Sequence, residues 1–126
     1  FNSRIRSVDP ATGQIATVAG DGGTYRYQGP AEPSSPSLSR PAGIAVDSHG
    51  SVYLTDSDSH LIRVWNGQTK TILRLSGTGV AQFGGDGGDA LAGSLSYPFG
   101  VAVDADGTVY VADTFNHRIR VLTTIA

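Results

Sequence analysis

Apolar residues fall at alternate positions in short runs, and each run is stopped by Gly, Pro, Asp or Asn. Ile44 and Val46 flank Ala45, Val52 and Leu54 flank Tyr53, and Ile62 and Val64 flank Arg63. Val101 and Val103 flank Ala102, Val109 and Val111 flank Tyr110, and Ile119 and Val121 flank Arg120. Such alternation marks a β-strand, whose side chains point to opposite faces in turn. The pattern predicts strands at residues 4–8, 15–19, 43–47, 51–56, 61–65, 71–75, 100–104, 108–112 and 118–123. The connections carry turn chemistry. Asp9-Pro10-Ala11-Thr12-Gly13 has Pro at its second position and Gly for the positive φ, while Ser48-His49-Gly50 and Ala105-Asp106-Gly107 close hairpins. Asn66-Gly67 predicts a two-residue type I′ turn, since both residues tolerate the left-handed conformation.

The runs are copies of one another. Pro41-Ala42-Gly43-Ile44-Ala45-Val46-Asp47 returns as Pro98-Phe99-Gly100-Val101-Ala102-Val103-Asp104, 57 positions later (98 − 41). Val52-Tyr53-Leu54-Thr55-Asp56 returns as Val109-Tyr110-Val111-Ala112-Asp113 at the same offset. Arg4-Ile5-Arg6, Leu61-Ile62-Arg63 and Arg118-Ile119-Arg120 are three instances of one piece. A fixed period means that a supersecondary unit has been copied. Each unit reads as four antiparallel strands, a to d. The chain then divides into a partial unit at 1–40, a full one at 41–97 and a partial one at 98–126, in the order c-d, a-b-c-d, a-b-c. Residues 20–39 and 77–96 are equally long d–a loops without periodicity. Small residues in strand a (Ala45, Ala102) fit a strand close to an axis, where space tapers. The fold class expected is all-β, with units built as the blades of a β-propeller.

Composition narrows the function classes. There are no cysteines, which excludes disulfides, thiol catalysis and Cys-ligated zinc. A net charge of −2, with Lys70 as the only lysine, gives no drive toward nucleic acid or an anionic membrane. No apolar run is long enough to span a bilayer. Phe1-Asn2-Ser3-Arg4 has no signal-peptide character and reads as the interior of a repeat. A soluble protein is expected, with its compartment left open.

At Asn116-His117-Arg118-Ile119-Arg120, following Gly107-Thr108-Val109-Tyr110-Val111-Ala112-Asp113, the sequence resembles an NHL repeat, named for its Asn-His-Leu signature. Phe83-Gly84-Gly85-Asp86-Gly87-Gly88-Asp89-Ala90 is similar to the Gly-Asp-Gly-Gly loop of the long-repeat bacterial members. The middle copy has Ser59-His60-Leu61 and the first Asn2-Ser3-Arg4, so no copy keeps all three signature letters. The resemblance runs through essentially the whole chain. It implies a propeller, commonly six-bladed and used mainly as a binding scaffold, although some members are lyases and others bind RNA.

The candidate chemistry is sparse. Gly84 to Ala92 fits a calcium β-roll repeat, but that motif shares each ion between successive turns and here it occurs once. No metal site is assigned. His60 and His117 match the residue type that ligates metal in lyases of the resembled family, yet they occupy equivalent repeat positions. They are read as structural, closing b–c turns whose N–H groups bond to Asp56 and Asp113. Arg6, Arg63 and Arg120 are read as laying their stems between blades. Glu32 is the only glutamate, and no Ser-His-Asp or Cys-His arrangement arises, so neither a catalytic residue nor a cofactor is expected. Strand direction puts the long loops and the b–c turns on one face. Tyr25, Arg26, Tyr27, Phe83, Asp86 and Phe115 lie there and form the candidate binding face for a protein or small ligand.

The expected function is a non-enzymatic binding scaffold. A propeller needs roughly four to eight blades, and this chain encodes about two. The terminal a-b-c of one copy lacks a strand d that the initial c-d of another can supply, and a six-bladed ring then takes three chains. Strand c is one copy in surplus at each junction, which predicts displacement of residues 2–7 or 118–124. The rival expectations are a dimer, a metal-dependent propeller lyase or hydrolase, and a segment of a larger multidomain NHL protein.

Overall fold

The structure, a computed structural model, is described for residues 2–22 and 37–123. Among these residues every strand pairing is antiparallel, and the strands fall into three sheets. β1 (Ile5–Val8) pairs with β2 (Ile15–Ala19). β3 (Pro41–Val46), β4 (Val52–Asp56), β5 (Leu61–Asn66) and β6 (Thr71–Ser76) form a four-stranded meander. β7 (Pro98–Val103), β8 (Val109–Asp113) and β9 (Arg118–Leu122) form a three-stranded one. The register repeats as the sequence does: Ile44 faces Leu54 and Val46 faces Val52, while Val101 faces Val111 and Val103 faces Val109. Among the described residues no helix is long and apolar enough to cross a membrane.

Successive sheets stack through their apolar faces. Between the first and second sheets, Ile5 and Ala19 pack with Leu38, Leu54 and Ile72. Between the second and third, Ile62 packs with Leu95, Val109 and Val111, and Tyr53 and Leu75 join from the second sheet. Full burial of one such aliphatic side chain is worth about 1.5–3 kcal/mol, so these layers supply most of what holds sheet to sheet. Strands β3 and β7 meet closely, and a Cβ on Gly43 would lie 2.5 Å from the Phe99 carbonyl oxygen. Only glycine lets the two backbones approach that far. Ser57 Oγ adds a cross-sheet bond, donating to the Pro98 carbonyl at 2.5 Å.

Two local expectations are corrected. The connection after β5 is not a two-residue type I′ turn at Asn66-Gly67. Asn66 pairs with Thr71, Lys70 N–H donates to the Asn66 carbonyl at 2.8 Å, and Lys70 rather than Gly67 has the positive φ of 59°. The Asn66 side chain accepts from Gln68 and Thr69 N–H, which stabilises the longer loop. The loop between β1 and β2 is built alike. Asp9 takes the role of Asn66, and Gly13 (φ 73°) stands at the position equivalent to Lys70. The second correction concerns residues 77–96, which are not structureless. Ala90–Ala92 make a 3-10 turn capped by Asp89, whose carboxylate accepts from Leu91 N–H at 3.0 Å, and Gly84 bridges to Ser94.

The a–b turns behave as their composition predicts. Asp47 Oδ1 accepts from His49 N–H (2.9 Å) and Ser51 N–H (3.0 Å), and Asp104 repeats this with Asp106 and Thr108. Tyr53 and Tyr110 donate their hydroxyls to the second oxygens. Partial burial alone would push the Asp47 carboxyl up. The hydrogen bonds from Ser51, His49 and Tyr53, with the nearby His49 imidazole, outweigh it and hold Asp47 below its ordinary value. Burial, then the bond to Asp47 and its charge, push the Tyr53 hydroxyl up. A carboxyl depressed in the folded state gives stability that is present above its unfolded pKa and lost as pH falls through the folded one. The thermal midpoint is therefore expected to fall as pH drops from roughly 5 to 3, and to fall less steeply in Asp47→Asn. Parallel curves for the two proteins would rule out this contribution.

Candidate functional site

Strand b of the second sheet and strand b of the third each end in an aspartate that is fully buried. Asp56 Oδ1 accepts from the backbone N–H and the hydroxyl of Ser39, both at 2.8 Å, and Oδ2 accepts from Arg63 Nε at 2.7 Å. Arg63 and Asp56 side chains are both 0% exposed. Asp113 repeats the arrangement one unit later. Its Oδ1 takes Ser96 N–H at 2.8 Å, and its Oδ2 takes Asn116 Nδ2 at 2.8 Å and an Arg120 guanidinium nitrogen at 3.0 Å. Each carboxylate thus joins strand b, strand c and the end of the long loop. Pairing with Leu54 and Val111 puts Arg63 and Arg120 on the packed face of strand c, and burial of those charges requires a facing anion.

These geometries correct one expectation and extend another. Asp56 and Asp113 do not accept from backbone N–H groups of the b–c turns. The 3-10 turns Ser57–Ser59 and Thr114–Asn116 carry no side-chain cap, and the carboxylates bond to the loop and to arginine, with the Asn116 side chain the turn's contribution at Asp113. Arg63 and Arg120, cross-strand partners of Leu54 and Val111, share the faces packed against the preceding sheet, and there they are buried as ion pairs with Asp56 and Asp113, which the sequence reading did not foresee. Arg6, the third member, is exposed. The missed signal was available: an aspartate precedes an arginine by seven positions in both units (63 − 56, 120 − 113).

His60 and His117 each close their turn with a left-handed backbone, at φ 59° and 57°. His60 is buried, and its Nδ1 accepts from Tyr97 N–H at 3.1 Å, with the two rings edge to face. His117 is exposed. Among the described residues no three His, Asp or Glu side chains converge on one point.

The loop face carries two ring clusters. Tyr97 lies 4.7 Å from Phe115, ring centre to ring centre, and Phe115 lies 6.2 Å from Phe99. Arg40, paired with Asp58 at 2.8 Å, sits over the Phe99 ring. Phe115 is 57% exposed and forms the outer edge of this cluster. The second cluster is Phe83, 42% exposed, with the Arg118 guanidinium 3.9 Å above its centre and that of Arg120 at 4.7 Å. Asp86, on the glycine-rich loop, is held by Arg120 at 2.8 Å, and Arg120 also donates to the Gly84 and Ser94 carbonyls. Loop and turn are bonded together on this face. Asn116 Nδ2 donates to the Gln82 carbonyl, and Phe115 N–H to that of Ser96. Of the six candidate face residues, Phe83 and Asp86 meet around Arg120 while Phe115 belongs to the neighbouring cluster. Tyr25, Arg26 and Tyr27 lie outside the described residues. Sequence reading missed Tyr97, Phe99 and Arg40, which long-loop position and strand alternation do not single out.

Removing one member of a buried ion pair strands the other, at a cost of about 3–5 kcal/mol. Asp56→Ala is expected to lose stability on that scale in denaturant unfolding, because it removes the carboxylate that faces the fully buried Arg63 guanidinium. The double variant Asp56→Ala/Arg63→Met is expected to recover part of the loss. Equal stability of single and double variants would show that the pair is not the source of the effect.

A family model of the NHL repeat matches residues 38–65 and 95–122. The protein SUPPRESSOR OF QUENCHING 1, chloroplastic, of Arabidopsis thaliana is 40% identical over 83 residues, which are 66% of this chain and 8% of that protein. NHL repeat-containing protein 2 of Gallus gallus is 37% identical over 87 residues, 68% of this chain and 12% of that protein. The chain therefore spans about a tenth of the length of these curated relatives. Among solved structures, a structural genomics protein of unknown function from Bacteroides thetaiotaomicron superposes with a TM-score of 0.79 at 20% identity, over 95% of this chain and 30% of that one. An auxiliary nutrient binding protein from the same organism superposes with a TM-score of 0.69 at 18% identity, over 95% of this chain and 32% of that one. At such identities these two speak for the fold alone. Together with the stacked antiparallel sheets, the matches establish that this chain carries NHL repeats, built as β-propeller blades.

Proposed function

We propose that this chain is a non-catalytic propeller scaffold that associates with further copies of itself to complete a ring, three chains giving six blades. Its units are the partial blade 1–40, the blade 41–97 and the partial blade 98–126. The observation that carries the reading is that two apolar sheet faces are bare, one on β3 of the second sheet, which the two-stranded first sheet leaves uncovered, and one on β9 of the third. Ile44 and Val46 are 51% and 59% exposed on β3, and Ile119 and Val121 are 67% and 52% exposed on β9. Surfaces of this kind on consecutive strands call for a covering partner. The rings of Phe83 and Phe115, mounted on hydrogen-bonded loop and turn, are the proposed contact points for a protein or small-molecule ligand. A second reading has support in the short span of the relatives that the chain matches: the missing blades then belong to the same polypeptide.

Light scattering at micromolar concentration tests the assembly. The expected mass is three times the 13.0 kDa of one chain, and a mass near that of a single chain overturns self-association in favour of blades supplied in cis. Phe83→Ser with Phe115→Ser is expected to leave that mass intact and to change stability by no more than about 0.5 kcal/mol. A collapsed thermal transition would make both rings packing residues and end the binding-face reading. Millimolar Zn²⁺ or Ca²⁺ is expected to leave the midpoint where it is. A rise would signal an ion bound to the native state and favour the metal-dependent enzyme.

A further inference from the structure

Three isoleucines occupy one repeat position, at 57-residue intervals, and their environments differ sharply. Ile5 is 9% exposed against the second sheet, Ile62 is 0% exposed against the third, and Ile119 is 67% exposed. The same holds around them. Tyr53 packs between the second and third sheets, whereas its equivalent Tyr110 is exposed. Val101 and Val103 are half-buried against the second sheet, whereas their equivalents Ile44 and Val46 are exposed. Four side chains of the inner interface thus have exposed counterparts: Tyr53 and Ile62 in Tyr110 and Ile119 on the third sheet, Val101 and Val103 in Ile44 and Val46 on the second.

We propose that β9 of one copy takes the place of β1 in the next copy, pairing with that copy's β2 and laying Tyr110 and Ile119 on its Ile44, Val46 and Leu54. This rests on the self-association proposed above and names the surfaces and the register through which it occurs. Pairing of β5 with β6 sets Arg63 opposite Arg74, Val64 opposite Leu73 and Trp65 opposite Ile72. Translated by one repeat, the incoming strand sets Arg120 opposite Thr17, Val121 opposite Ala16 and Leu122 opposite Ile15. Those positions on β2 are now filled by Arg6, Ser7 and Val8 of β1. The exchange therefore conserves the pairing pattern, replaces Ser7 by a valine and Val8 by a leucine, and brings Ile119 to the site that Ile5 occupies. It also carries its own ion pair, since Arg120 stays bound to Asp113 while Arg6 leaves as an exposed side chain.

The ends of the strands fit as well. Ser3, His60 and His117 are equivalent positions, and all three are left-handed, at φ 55°, 59° and 57°. A Cβ on Gly20 would run into the Ser3 carbonyl, and one on the equivalent Gly77 into the His60 carbonyl. His117 presents the same backbone shape and can seat against Gly20 of the next copy. Ala19 and Val18 of β2 are already packed on Leu38 and Leu54, so the acceptor site lacks only its replacement strand.

The chain has no cysteine, so an introduced pair reports strand pairing without background. Directly paired strand positions bring Cα atoms within disulfide reach. Under mild oxidation Ala16→Cys/Val121→Cys is expected to give covalent multimers on a non-reducing gel, and Ser7→Cys/Ala16→Cys little intrachain bond in the assembled fraction. Ile119→Asp, at the exposed end of the sheet, is expected to reduce the assembly to single chains with unchanged circular dichroism. An oligomer by light scattering that forms the Ser7–Ala16 bond in full and no Ala16–Val121 bond overturns the strand exchange while self-association stands. A single-chain mass for the unmodified protein overturns both. An unchanged oligomer in Ile119→Asp also overturns the proposed interface.

Discussion

A carboxylate buried at the end of a strand must be surrounded by donors, and Asp56 and Asp113 collect theirs from distant parts of the chain. One oxygen of each takes the N–H of the last loop residues, Ser39 or Ser96, and the other takes an arginine from the next strand. The consequence is mechanical. A connection of about twenty residues is pinned at its C-terminal end to the strand pair it overlies, and strand c cannot slip without stranding a charge. A buried ion pair adds little net stability over a hydrophobic pair of similar volume. What it supplies here is position. Phe83 lies under an Arg120 that is itself fixed by bonds to Asp113, to Asp86 and to the Gly84 and Ser94 carbonyls at once.

The two units use the same device with different surroundings. In the second, Asn116 joins the carboxylate, where the first has Ser59 bonded to the Ser39 hydroxyl. Tyr97 likewise stands where the preceding unit has Arg40, so His60 meets an aromatic ring and a backbone N–H across the sheet boundary. Equivalent scaffolds with unlike residues at the loop ends are what a binding surface requires: the frame is repeated and the contacts are varied.

Strand order and the shared loop face were legible because period-two alternation marks the strands, a fixed 57-residue offset repeats them, and the two agree. The Asn66 turn was not, because its dipeptide favours a short turn in isolation. Comparison with Asp9 and Gly13 at the same offset carries the longer form. The Asp–Arg pairs were hidden for a different reason. A charged residue at an alternating position reads as solvent-facing by default, and only the recurrence of both partners at one spacing points inward. Tyr97 and Phe99 lie beyond such reasoning, since their neighbours come from the adjoining sheet and the d–a loop.

The stack also explains why its ends behave unlike its middle. Each sheet has two apolar faces by virtue of its alternation, and only the four-stranded sheet has a neighbour on both sides. Covering a face requires a partner of the same curvature and spacing, and the molecule contains such surfaces already, in the faces of its own inner interfaces. An end that matches the opposite end of an identical molecule makes a heterologous contact, which extends into a fibre or closes into a ring according to the rotation between successive units. The rotation between the second and third sheets is fixed by the Gly43–Phe99 approach and by the Ser57–Pro98 bond. The proposed ring requires that same relation to be repeated from copy to copy.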